Sequence, residues 1–76
     1  MNATKLIPGA KATITQIAES TVSIKLLEMG CVPGTPIYIE FKAPGGDPIA
    51  FNIDGYLLGL RISEAVNIEV ELIVEI

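Results

Sequence analysis

A small, mostly β fold, an antiparallel barrel of about five short strands with one short α-helix, is what the sequence predicts, and three patterns predict it. Towards the C-terminus Ile68, Val70, Leu72, Val74 and Ile76 alternate with Glu69, Glu71, Ile73 and Glu75, a period of two that belongs to a strand. Asp54-Gly55 stands between two apolar runs, and Asp-Gly in that setting is a type I′ hairpin turn because both central residues need positive φ. Between Glu19 and Gly30 the spacing changes: Val22, Leu26 and Met29 fall at i, i+4 and i+7, with Leu27 widening the stripe to one face of a helix.

Taken in order, residues 1–8 form an N-terminal leader that ends at Pro8-Gly9. The β-branched segment Ala12–Ile17 supplies the first strand. The helix follows, with Ser20 or Thr21 as its cap and Gly30 placed where a left-handed residue ends it, so that Cys31 and Val32 fold back on the last turn. After Pro36, Ile37, Ile39 and Phe41 alternate with Tyr38, Glu40 and Lys42 as a second strand whose core face holds the first three. Pro44-Gly45-Gly46-Asp47-Pro48 reverses the chain. Ile49–Ile53 and Tyr56–Ile62 then pair across Asp54-Gly55, with Tyr56, Leu58, Leu60 and Ile62 on one face and Leu57, Gly59 and Arg61 on the other. Ser63–Asn67 reads as a single helical turn before the last strand, Ile68–Ile76.

Composition sets outer bounds. The 76 residues make one domain, 1–76, and half of them are hydrophobic while 18% are charged, which excludes a disordered chain. Nine acidic against five basic residues give a net charge of −4, which argues against a phosphate-binding surface and so against nucleic acid as a partner. The first residues lack the apolar core of a signal peptide, and no run approaches the roughly 20 residues that span a bilayer. With one cysteine, Cys31, no internal disulfide forms, so a soluble cytoplasmic protein without direct membrane insertion is expected.

The chemistry of enzymes is missing from the residue list. There is no histidine, hence no Ser-His-Asp or Cys-His arrangement and no imidazole metal ligand. Cys31 lacks an activating neighbour and reads as a packing residue. Glu69, Glu71 and Glu75 share one strand face, as solvent-facing carboxylates do, and Asp47 and Asp54 sit at turns. Lys42-Ala43-Pro44-Gly45-Gly46-Asp47 is glycine-rich but lacks the GxxxxGK[ST] order of a phosphate loop. Arg61, the one arginine, stands three residues before Glu64 and is expected to pair with it, tying strand to turn. Catalytic, cofactor-binding and metal-ligating residues are therefore expected to be absent. Tyr38, Leu57, Ile73 and Val32 lie opposite the core faces and make a candidate interaction patch. Leu27 and Met29 at the helix end join Val32, Tyr38 and Leu57 as the residues expected to bind a partner.

The segment Leu26-Leu27-Glu28-Met29-Gly30-Cys31-Val32-Pro33-Gly34-Thr35-Pro36-Ile37 resembles the core signature of the FeoA family: a leucine-rich helix end, Met-Gly, then a hydrophobic residue and Pro-Gly. Ala43-Pro44-Gly45-Gly46-Asp47-Pro48-Ile49 and Leu60-Arg61-Ile62-Ser63-Glu64-Ala65, followed by Ile68, resemble two further signatures, and together they cover roughly residues 9–74. The resemblance implies an SH3-like barrel and a cytoplasmic accessory of ferrous iron uptake acting with the membrane transporter FeoB. In it Gly30, Pro33 and Gly34 shape the helix-to-strand corner, Gly46, Asp47 and Pro48 shape a hairpin, and Arg61 with Glu64 fixes the strand-to-turn corner. It also implies binding of ferrous iron or another divalent transition metal, for which this chain offers only weak ligands.

Three functions compete on these grounds. The first is a non-enzymatic module that docks on the cytoplasmic part of a FeoB-type transporter and modulates it. The second is a regulatory SH3-like module that contacts an iron-dependent repressor. The third is a direct sensor of a transition-metal ion through carboxylates. Exposed strand edges leave homodimer formation open as well.

Overall fold

The computed structural model describes residues 1–74. Five strands, β1 (Ala12–Ile17), β2 (Pro36–Lys42), β3 (Ile49–Ile53), β4 (Tyr56–Leu60) and β5 (Ile68–Leu72), form one antiparallel sheet in the order β4-β3-β2-β1-β5. Two short helices, α1 (Ser23–Glu28) and α2 (Ile62–Ala65), complete a mostly β, SH3-like architecture. The sheet curls round its core, yet its outer strands β4 and β5 are joined by α2 and not by a ladder.

The core is built from alternate positions. Ile37 and Ile39 of β2, Ile49, Phe51 and Ile53 of β3, Leu60 of β4, and Ile68 and Val70 of β5 meet Ala12 and Ile14 of β1 and Leu26 of α1. Phe51 has no exposed surface and stands opposite Ile39 on one side and Leu58 on the other. The N-terminal residues add to the sheet and to the core. Ala3 and Leu6 are buried, Asn2 forms a bridge to Glu69, and the Val70 N–H donates to Met1 O at 2.8 Å.

Both ends of α1 follow from local chemistry. Val22, not Ser20 or Thr21, is the N-cap residue. Ser20 acts one step earlier: its hydroxyl accepts from the Val22 N–H at 3.3 Å, and its carbonyl accepts from the Ser23 hydroxyl at 3.0 Å. At the other end Gly30 has φ of +93°, the Cys31 N–H donates to Leu26 O at 3.0 Å, and the Gly30 N–H donates to Leu27 O at 3.1 Å. That pair of bonds is a Schellman motif, closed by burial of Cys31 beside Leu26. Val32-Pro33-Gly34-Thr35 then turns with a Thr35 N–H to Val32 O bond of 3.1 Å and a φ of +95° at Gly34, the type II pattern. The loop between β2 and β3 is closed by the Ala43 N–H on Pro48 O at 3.0 Å, with Gly45 and Gly46 at positive φ and a cis Asp47-Pro48 peptide.

Four expectations need correction. Phe41 does not join the core: the β2–β3 register steps from Ile39↔Phe51 to Phe41↔Ala50, and this bulge at Glu40 turns Phe41 outwards, leaving it 57% exposed. Strand β4 stops at Leu60, because Arg61 is the N-cap of α2 and Ile62 its first residue. Strand β5 stops at Leu72, which pairs with Ala12 at the start of its partner β1; Leu72 in that last pair is half exposed and Val74 beyond it is 81% exposed. The alternation had placed both in the core. The last two positions of that expected strand, Glu75 and Ile76, lie outside the described residues.

Candidate functional site

The residues expected to bind a partner fall into two groups. Leu27 and Met29 belong to the end of α1, and Val32 opens the turn that follows. Leu27 and Val32 are exposed, whereas Met29 packs half-buried against the core. The Tyr56 hydroxyl donates to Met29 O, so the start of β4 is tied to the end of the helix. Gly30 makes this approach feasible, because a Cβ there would overlap the Tyr56 hydroxyl.

Tyr38 and Leu57 lie on the outer face of the sheet. The register Tyr38↔Asn52 on β2–β3 and Asn52↔Leu57 on β3–β4 aligns them in one row, and the bulge adds Phe41 to the same face. Burial, with the Glu40 carboxylate beside it, pushes the Tyr38 phenol above its ordinary value. A cleft of about 450 Å³ opens here, lined among others by Lys11, Pro36, Tyr38, Asn52, Asp54 and Ile73. An ammonium, a carboxylate and an aromatic ring around an apolar floor suit a polypeptide segment. The periodicity of β2 identified Tyr38 as outward, but a bulge leaves no mark in a periodic pattern, so Phe41 went unseen.

A second cluster is electrostatic and joins three segments. Glu64 Oε1 accepts from the Arg61 N–H at 2.9 Å, one arm of a capping box. Its Oε2 pairs with Lys25 Nζ of α1 at 2.6 Å. The Arg61 guanidinium therefore does not pair with Glu64; it approaches Asp47 at 4.0 Å, and Asp47 Oδ1 also accepts from the Ile62 N–H at 3.0 Å. The expected Arg61–Glu64 pair is thus replaced by Lys25–Glu64 and Arg61–Asp47. Sequence spacing could not find these, since each partner is distant along the chain.

The Lys25 hydrogen bond, then the Arg61 N–H, hold the Glu64 carboxyl below its ordinary value of 4.5. A lowered folded-state value means that this stabilisation is present in neutral solution and is lost as pH falls below about 4.5. Glu64→Ala is expected to cost about 1–2 kcal/mol in neutral buffer, from the cap and the ion pair together. Urea unfolding of both proteins through the acid range should show the gap closing as Glu64 of the parent protein becomes protonated. A gap constant with pH would remove the charge from the account.

Cys31 is fully buried, and burial pushes its thiol up to about 11. It carries no nucleophile's environment. Among the described residues no three of His, Cys, Asp and Glu stand close enough together to hold a metal ion. No helix among them is long and apolar enough to cross a membrane.

Comparison with known proteins then places the chain. The family model of the FeoA domain matches residues 1–72. The chain belongs to the FeoA family. Its FeoA domain is 39% identical over 74 residues to the Fe(2+) transport protein A/Fe(2+) transporter FeoB fusion protein of Porphyromonas gingivalis, covering 96% of this chain and 9% of that protein. The chain thus spans about a tenth of that relative's length. Among solved structures, the FeoA-like protein of Clostridium acetobutylicum superposes with a TM-score of 0.90 at 46% identity, over 99% of this chain and 88% of that one. The FeoA of Stenotrophomonas maltophilia, solved in complex with zinc and described as a prokaryotic SH3 domain protein, superposes with a TM-score of 0.84 at 26% identity, over 93% and 89% of the two chains. These neighbours agree with the SH3-like FeoA fold expected from the three signatures.

Proposed function

We propose that this protein is a non-enzymatic accessory of ferrous iron uptake that docks on the cytoplasmic part of a FeoB-type transporter and modulates it. The observation that carries the reading is the Porphyromonas gingivalis relative, in which a domain 39% identical to this chain is part of one protein with the transporter FeoB. Fusion holds two partners at high effective concentration, so it preserves an association that separate chains must achieve by affinity. The outer sheet face supports the same reading, because Tyr38, Phe41 and Leu57 line up there beside the Lys11–Asp54 cleft. Leu27 and Val32 at the helix end offer a second contact.

Calorimetric titration against the cytoplasmic domain of the genome's own FeoB tests the proposal, with GDP, with a GTP analogue, and with and without anaerobic ferrous iron. Saturable binding that Tyr38→Ala and Leu57→Ala weaken is the expected result, and its nucleotide dependence reports which transporter state is favoured. Absence of binding in every condition overturns it. The zinc complex of the Stenotrophomonas maltophilia FeoA favours a second reading, a metal-ion sensor. Heat from ferrous iron alone, without any from the transporter domain, would select that reading, and co-purification with a repressor would select the regulatory module.

A further inference from the structure

The two free edges of the sheet are treated differently. The β5 edge carries Glu69 and Glu71 and is partly covered by Met1 and Asn2, through the Val70 N–H bond to Met1 O and the Asn2↔Glu69 bridge. Charge and coverage are the usual means of blocking an edge. The β4 edge, Tyr56-Leu57-Leu58-Gly59-Leu60, has no charged residue, no proline and no bulge in its pairing with β3, and among the described residues no strand lies on its other side.

The register defines what this edge presents. Asp54 N–H donates to Pro36 O at 3.0 Å, so the even-numbered residues of β3 and its turn bond towards β2 and the odd-numbered ones bond towards β4. Ile53↔Tyr56, Phe51↔Leu58 and Ile49↔Leu60 are therefore the hydrogen-bonded pairs of the hairpin. This agrees with the two-residue Asp54-Gly55 turn, both of whose residues have positive φ. The N–H and C=O groups of Leu57 and Gly59 consequently point outwards, away from β3.

We infer that β4 is the pairing edge for a second copy of this chain, joined antiparallel about a two-fold axis at Leu58. The register is self-complementary. It sets Leu57 of one protomer opposite Gly59 of its partner, twice, and these four residues have outward main-chain groups with no partner among the described residues. Four main-chain hydrogen bonds result. On the outer face the Leu57 side chain, 57% exposed in the single chain, lies over Gly59 of the partner, where a Cβ would meet nothing within 4 Å. Knob meets hole on both sides of the axis, as an isologous contact requires. Although the chain carries a net charge of −4, this strand contributes none of it, so the copies meet without like-charge opposition along the seam. The inference is independent of the transporter reading.

The test needs only the purified protein. Sedimentation of the parent chain across a concentration series should reveal a species of twice the chain mass, and hydrogen exchange should show the Leu57 and Gly59 N–H groups becoming protected as that species forms. The Leu58 N–H, already bonded to β3, should be protected throughout. Gly59→Lys places its Cβ in open space and should leave the thermal unfolding of the single chain unchanged while weakening the dimer about tenfold or more. A chain that stays monomeric at millimolar concentration overturns the inference. So does a dimer in which Leu57 and Gly59 exchange freely, because it would then use another surface.

Discussion

Replacing Phe51 with alanine is expected to remove about 3–5 kcal/mol of stability, the usual cost of truncating a buried phenylalanine. A 76-residue chain has only about 4–11 kcal/mol in total. The variant should therefore lose at least about a quarter of that stability and unfold at a clearly lower urea concentration. Phe51 is fully enclosed at the middle of β3, with Ile39 opposite it on β2 and Leu58 on β4. A cavity at this point lies in a strand that is ladder-bonded on both sides, to β2 and to β4, so collapse to refill it is resisted. Urea unfolding and the dispersion of amide NMR signals measure the effect, with Phe51→Leu as a milder control expected to lose less than about 2 kcal/mol. A loss below about 1 kcal/mol for the alanine variant would mean that the core is not centred on this ring.

Gly30→Ala is expected to lose about 2–3 kcal/mol, for two reasons that can be separated. At a φ of +93° any L-residue is disfavoured by about 1–2 kcal/mol. The new Cβ would also displace the Tyr56 hydroxyl from Met29 O, removing a hydrogen bond of about 0.5–1.5 kcal/mol. In a Tyr56→Phe background the second contribution has already gone, and Gly30→Ala should then show the backbone penalty alone. The double-mutant cycle therefore predicts a coupling of about 0.5–1.5 kcal/mol by denaturant unfolding. Strict additivity would leave the backbone conformation as the sole reason for glycine and would discard the close approach of Tyr56.

Much of the fold was legible because its punctuation is chemical. Asp54-Gly55 encodes positive φ at two consecutive positions, and Gly30 encodes the end of α1, so both elements were found where the structure has them. Periodicity identified Ile68 and Val70 as core, but it continues through Leu72, at the last pair with β1, to Val74, where the partner strand has run out. Alternation reports what a strand would bury; it does not report how far a neighbour extends. Phe41 illustrates the same limit, since one extra residue at Glu40 reverses every later side chain. The candidate site was less legible than the fold. Tyr38 and Leu57 were seen as outward-facing, but their alignment through Asn52, and the pairing of Lys25 with Glu64, are properties of register and tertiary packing.

Cys31 occupies the position that locks the Schellman motif, with its N–H on Leu26 O and its thiol sealed in the core. A thiolate forms there only about two pH units above the ordinary thiol value of 9.0, so electrophiles and oxidants in solution find nothing to react with while the helix end is closed. The single thiol thus serves as an internal clock of the fold. In excess reagent its modification rate counts the openings of the corner between α1 and β2, and it does so without any added label.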